Sequence, residues 1–168
     1  DVTDAEAVAR AAAAVAEAFG PCELLVNSAG GNQPAAVTTL TEFAPAELEA
    51  QTPGSPRGFF NLDLGPFQSV IQANTLGTVI PCQVFGRAMA GRGRGAIVNF
   101  ASMNSYRPLS RVPAYGMAKA AIVNFTQWLA AYLAPAGVRV NAVAPGFFLN
   151  DRSRKILLDE QGGLTGRG

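Results

Sequence analysis

The chain has 168 residues, 49% hydrophobic and 15% charged, with a formal net charge of +1, which fits one domain with ample core and leaves no electrostatic footprint for nucleic acid or an anionic membrane surface. There is no His, and the two cysteines, Cys22 and Cys82, are far apart, so neither a zinc site nor a disulfide framework is indicated and no metal is expected. No apolar run approaches the ~20 residues that span a bilayer and no signal-peptide pattern is read, so a cytoplasmic protein with free thiols is expected.

Thr3-Asp4-Ala5-Glu6 has the form of a capping box, with Thr3 as N-cap and Glu6 three positions on. An Ala-rich helix is expected from there to Phe19, closed by Gly20-Pro21. Leu24-Leu25-Val26 is a short apolar strand ending in the turn Asn27-Ser28-Ala29-Gly30-Gly31, and such runs, buried on both faces, are typical of parallel sheets. From 32 to 58 the chain changes character, with Pro34, Pro45, Pro53 and Pro56; it admits a short helix over 41–49 and is otherwise loop. A long helix is expected over 65–90, interrupted or kinked near Gly77 and Pro81. A basic turn over 92–95 leads to a strand over 96–101. A loop over 102–113, a helix over 114–134 and a strand over 138–144 follow, the last stopped by Pro145-Gly146. Strands alternating with helices predict the α/β class, a doubly wound parallel sheet covered on both faces, as one domain over 1–168.

Tyr115 and Lys119 stand four residues apart in Tyr115-Gly116-Met117-Ala118-Lys119, and on a helix those side chains share a face. A neighbouring cation favours the phenolate, which makes a phenol a usable proton shuttle near neutral pH. Ser102, thirteen positions upstream of Tyr115 at the end of an apolar run, could hold a substrate oxygen beside it. The three together describe a general acid/base site for carbonyl/alcohol interconversion. Tyr-x-x-x-Lys alone is more often a solvated helix face, because short motifs recur by chance, so other features must carry the case.

Six marks do so: Asp1-Val2, Asn27-Ser28-Ala29-Gly30, Asn74, Ile97-Val98-Asn99-Phe100-Ala101-Ser102, Tyr115 with Lys119, and Arg139-Val140-Asn141-Ala142-Val143-Ala144-Pro145-Gly146. In order and spacing they resemble the short-chain dehydrogenase/reductase family along nearly the whole chain. Ser28 departs mildly from the family, which more often has a second Asn there. The resemblance implies a Rossmann-like sheet, here incomplete at the N-terminus, because the family's first strand, Gly-rich turn and following helix have no counterpart in these residues. The chain therefore reads as a fragment, and NAD cannot be told from NADP. It implies a catalytic set of Asn74, Ser102, Tyr115 and Lys119. In it Lys119 meets the nicotinamide ribose, Tyr115 moves the proton and Ser102 orients the substrate oxygen. Asn74 would complete a proton relay where its helix is locally disrupted. Cofactor contacts are expected at Asp1, Val2, Asn27, Ala29, Gly30, Tyr115, Lys119, Pro145, Gly146 and Phe147.

Measured against the family, the gap from Asn27 to Asn74 is about twenty residues longer than usual, an insertion over 32–58 that either shapes a substrate pocket or pads the surface. The segment 102–111, the Gly30-Gly31-Asn32 turn and Ala144-Pro145-Gly146-Phe147-Phe148-Leu149 look like a branch acting on sugar acids, the D-mannonate/fructuronate oxidoreductases. Such a substrate carries a carboxylate, for which Arg107, Arg111 or Arg152 is a candidate partner, and hydroxyls, for which Asn104 is one. The apolar content of the helices over 65–90 and 114–134, where the resemblance puts the subunit contact, implies a homodimer or homotetramer. Two other readings stay open: a non-catalytic nucleotide-binding regulatory relative, which would have no use for the acid/base set, and an inactive truncated fragment.

Overall fold

A computed structural model describes residues 1–164, apart from the side chains of Arg152, Lys155 and Ile156. Helix α1 (Ala5–Phe19) precedes strand β1 (Leu24–Asn27), and the segment after it carries two single 3-10 turns, Pro34–Ala36 and Pro45–Leu48, in place of the short helix over 41–49. Helix α2 (Leu64–Arg92), strand β2 (Gly95–Phe100), helix α3 (Pro113–Leu133), strand β3 (Val138–Val143) and the short helix α4 (Asp151–Leu157) follow. The strands form one parallel sheet in the order β1-β2-β3, with Leu25 opposite Ile97 and Ile97 opposite Val140.

The cap of α1 is Asp4 and not Thr3. Asp4 accepts the N–H groups of Glu6 and Ala7 at 2.9 and 3.1 Å, and the Ala7 bond above all holds its carboxyl below the usual range against desolvation, with a smaller contribution from that of Glu6. Thr3 is drawn away by Asp1, whose carboxylate takes both its N–H and its hydroxyl at 2.8 and 2.9 Å. At the other end Gly20 closes the helix at φ 80, in the left-handed region that favours glycine.

The expected interruption of α2 does not occur: the helix is continuous through Gly77 and Pro81. Pro81 forfeits one backbone bond, but buried residues recur on both sides of it at three- and four-residue intervals, Val70, Asn74, Gly77 and Thr78 before it and Cys82, Gly86 and Met89 after. Packing on both sides therefore carries the helix past the proline. Much of that stripe is small or polar, and it lets the helix come close: a Cβ at Gly77 would stand 2.9 Å from Val2.

Met89, Ile97, Leu129, Val138 and Val140 make the main core between α2, α3 and one face of the sheet. Under that face runs a polar strut. Asn27 donates to Asn99 at 2.9 Å, Asn99 to Thr126 at 2.9 Å, and Thr126 to the Ile122 carbonyl at 2.7 Å. Such a fully paired buried chain fixes register where apolar contact alone would slide. The other sheet face differs from expectation. Leu24 and Val26 are 58% and 50% exposed, because period-2 alternation turns them away from α2 and α3, and no described element buries them.

Candidate active site

Strands β1 and β2 end side by side, and in an open parallel sheet the crevice beyond those carboxyl ends is where ligands bind. There Ser28, Gly30, Gly31, Phe100, Ala101, Ser102, Tyr115, Lys119, Pro145 and Gly146 enclose a cavity of about 210 Å³. Three strand ends and one helix supply its walls. The β3 end is pinned to the β2 end by Ala101 N–H donating to Val143 O and Met103 N–H to Pro145 O, both at 2.9 Å.

Lys119 is 5% exposed, and burial pushes its ammonium below the ordinary value of 10.5. Its Nζ donates to the Phe100 carbonyl at 2.7 Å and lies 5.5 Å from the centre of the Tyr115 ring. An ammonium has three donors, so two remain for oxygens in the cavity. The Ser102 hydroxyl accepts the Asn104 N–H at 3.1 Å. With a lone pair so occupied, its own proton is available to a substrate oxygen.

Asn74 is fully buried and lies outside the lining. Its amide clamps the turn after β1, Oδ1 accepting Gly31 N–H at 3.1 Å and Nδ2 donating to the Gly31 and Val70 carbonyls at 2.7 and 2.8 Å. The helix is not disrupted there: the Asn74 carbonyl accepts the Thr78 hydroxyl at 2.9 Å within a continuous α2. Gly30, at φ 139, is shaped by the same clamp, since a Cβ on it would stand 2.5 Å from Asn74 Oδ1.

Of the expected cofactor contacts, Gly30, Tyr115, Lys119, Pro145 and Gly146 line the cavity, whereas Asp1, Val2, Asn27, Ala29 and Phe147 do not. Asn27 is turned into the core by its bond to Asn99, Asp1 is folded onto Thr3, and Phe147 is exposed. Of the expected substrate contacts, Asn104, Arg107 and Arg111 do not line the cavity either. Asn104 folds back into its loop, its Oδ1 accepting Leu109 N–H at 2.8 Å, with its buried Nδ2 lacking a protein acceptor. Arg111 donates from Nε to the Thr38 carbonyl at 2.7 Å, which ties the 102–113 loop to the insertion. Arg107 is exposed, and the Arg152 side chain lies outside the described residues.

Ser28, Gly31, Phe100 and Ala101 were not among the expected residues. They stand inside segments that carry the family resemblance, but the only signal for their own part was position, just beyond or at the ends of two parallel strands. Phe100 contributes a carbonyl, which no side-chain pattern announces.

Cavity size does not pick the site. A cavity of about 350 Å³ lies between the insertion and 108–113, and another of about 470 Å³ between α2 and α3; neither contains Ser102, Tyr115 or Lys119. Among the described residues no group of three or more His, Cys, Asp or Glu could hold a metal, and no helix is long and apolar enough to cross a membrane. Burial raises the Cys82 thiol to about 12, against a smaller lowering by Asn27, which makes it an inert core group.

Comparison with known proteins agrees with this geometry. An uncharacterized oxidoreductase of Haemophilus influenzae is 46% identical over 149 residues, covering 89% of this chain and 50% of the relative. An uncharacterized oxidoreductase of Bacillus subtilis, UxuB, is 40% identical over 167 residues, covering 99% and 58%. The chain thus spans about half the length of the curated relatives it matches. A solved structure with bound NAD, a provisionally named D-mannonate oxidoreductase from Haemophilus influenza, superposes with a TM-score of 0.87 at 38% identity, over 99% of this chain and 58% of that one. With the parallel sheet, the Ser102–Tyr115–Lys119 cavity and a match to the short chain dehydrogenase family over residues 1–161, the chain belongs to that family.

Proposed function

We propose that the protein carrying these residues is an NAD- or NADP-dependent oxidoreductase that interconverts a secondary alcohol and a ketone, with a sugar acid of the D-mannonate/fructuronate type as substrate. The observation that carries the reaction class is the meeting of Ser102, Tyr115 and the buried Lys119 ammonium on one cavity. The residues fit the nicotinamide end of such a cofactor. Lys119 has two spare donors, and Gly31 leaves open space where a Cβ would otherwise enter the wall.

The bound cofactor supplies or accepts the hydride. The chain's own residues do the rest. Ser102 donates its hydroxyl proton to the substrate oxygen, with Asn104 N–H holding the serine in place. Tyr115 takes the alcohol proton during oxidation, or returns one to the carbonyl oxygen during reduction. Lys119 keeps a positive charge beside the phenol and orients hydroxyls with its free donors. Asn74 serves here by holding the Gly30-Gly31 wall.

The sugar-acid assignment is supported by likeness to the NAD-bound Haemophilus structure. We also assign the protein to the cytoplasm and to a symmetric dimer or tetramer. In the groove between α2 and α3, Trp128 stacks on Phe125 and Tyr132 while 56% exposed, a large aromatic surface left without a described partner.

The test of the reaction class is Tyr115→Phe in the whole protein. It removes the proton path and little contact area, so turnover should vanish while cofactor affinity stays close to that of the parent. Retention of more than about a tenth of the activity would contradict the role, since general acid/base groups contribute about 100-fold or more.

A further inference from the structure

Ser105 is outside the acid/base set, yet its hydroxyl touches the backbone of two residues within it. Its Oγ accepts the Ser102 N–H at 3.3 Å and donates to the Lys119 carbonyl at 2.8 Å. A serine hydroxyl has one proton and two lone pairs, so both bonds are held together. On either side of Ser102 the N–H groups of Ala101 and Met103 are bonded toward β3, to Val143 and Pro145; the Ser102 N–H between them goes to Ser105 instead. Ser105 N–H returns to the Ser102 carbonyl at 2.9 Å, which closes a reciprocal cap around the single turn Met103–Ser105. At the other end of the link, Lys119 lies one helical turn beyond Tyr115 on α3.

We infer that Ser105 is a positioning residue for the reaction proposed above. By tying the Ser102 and Lys119 backbones to one oxygen, it fixes the separation between the Ser102 hydroxyl and the Tyr115–Lys119 face of α3. The inference rests on the oxidoreductase reading. Both hydroxyls must reach one substrate oxygen at about 2.6–3.2 Å, and since the flanking bonds of Ala101 and Met103 run toward β3, the Ser105 oxygen is what ties Ser102 itself to the backbone of α3. A second tie crosses the same gap, from Lys119 Nζ to the Phe100 carbonyl, but it ends on the strand before Ser102 and leaves the Ser102 amide free to turn.

The experiment compares Ser105→Ala and Ser105→Thr with the parent in the whole protein. It reads cofactor affinity, kcat, the isotope effect on kcat with the transferred hydrogen deuterated, and hydrogen exchange at the Ser102 amide. Ser105→Ala should lower kcat on the order of 10-fold or more, as expected for displacements below 1 Å, with cofactor affinity unchanged. Its isotope effect should rise, because a slower transfer step limits turnover more fully, and its Ser102 amide should exchange faster. Ser105→Thr keeps the hydroxyl and should recover most of the rate. An unchanged kcat in Ser105→Ala, or a lower kcat with an unchanged isotope effect, would overturn the inference, the second because it reports less folded protein. If the parent oxidises no alcohol, the functional reading itself fails. The exchange measurement then still decides the link, since equal exchange at Ser102 in parent and Ser105→Ala overturns it.

Discussion

Lys119 places its ammonium 2.7 Å from the Phe100 carbonyl oxygen, inside a wall where only 5% of the residue is exposed. One carbonyl is a thin substitute for a hydration shell, and burial accordingly lowers the lysine below its ordinary 10.5. The fold therefore holds this charge at a cost to stability, one that the proposed reaction accounts for.

The sign of that cost is testable. At any pH below the depressed folded value both folded and unfolded chains carry the proton, and the desolvation penalty is present in full. As pH rises from the folded value toward 10.5, the unfolded chain binds more protons than the folded one, so the penalty is relieved. Lys119→Met should therefore melt at the same temperature as the parent or a few degrees higher near neutral pH, about 2–4 °C for each kcal/mol. The advantage should shrink as the solution becomes alkaline. A variant that melts lower at neutral pH, with an unaltered pH slope, would show the ammonium to be net stabilising.

Asn74 offers a second test, on the turn that builds the opposite wall. Its amide satisfies both the N–H and the carbonyl of Gly31, and Asn74→Leu would leave both without partners. At about 1–3 kcal/mol for each stranded group, the loss should be roughly 2–6 kcal/mol by urea unfolding. Gly30→Ala should also destabilise, since its Cβ meets Asn74 Oδ1. Combined with Asn74→Ala it should cost less than the sum of the two, because the obstructing atom is gone. Strict additivity would mean that the two residues do not share this contact.

The groups central to these tests were unequally visible in the sequence. Ser102, Tyr115 and Lys119 were legible because their residue types, spacing and strand-helix context point to one chemistry, and Pro145-Gly146 because it stops a strand beside them. Phe100 was not, because it acts through a carbonyl that every residue possesses. The part Asn104 plays in the loop was hidden for the opposite reason. Its amide suits a sugar hydroxyl as well as it suits Leu109 N–H, and only the folded loop chooses. In α2, Pro81 signalled a break that the buried stripe on both sides overrides, and the polar Asn74 and Thr78 in that stripe hid its apolar periodicity. Exposure of Leu24 and Val26 could not be read from an apolar run, since the run does not say which elements cover it.

The assembly proposal predicts association through the α2–α3 groove. Trp128→Glu would put a charge into the stacked Phe125–Trp128–Tyr132 surface, where the parent presents a cavity of about 470 Å³ with mainly apolar walls. Light scattering at micromolar concentration should give a dimer or larger for the parent and a smaller species for the variant. A monomeric parent would remove the proposal, and an unchanged variant would move the contact to another face.

The substrate prediction separates two arginines that the sequence alone could not. Arg107 is exposed and available to a carboxylate, whereas Arg111 has its Nε committed to the Thr38 carbonyl. If a sugar acid is the substrate, the parent should prefer D-mannonate to uncharged sugar alcohols. Arg107→Ala should then lower kcat/KM for the acid while sparing the neutral substrates. A contact that becomes desolvated on binding is worth about 2 kcal/mol or more on truncation, roughly 30-fold in rate. Arg111→Ala should behave differently: it removes one of the two bonds joining Thr38 to Arg111, leaving the Thr38 N–H on the Arg111 carbonyl, so the 32–58 segment loosens against the loop that follows Ser102 and acid and neutral substrates should suffer alike. Equal preference of the parent for charged and uncharged substrates would remove the sugar-acid assignment and leave the oxidoreductase class. An acid-selective loss in Arg111→Ala, with Arg107→Ala unaffected, would assign the carboxylate to the loop–insertion junction.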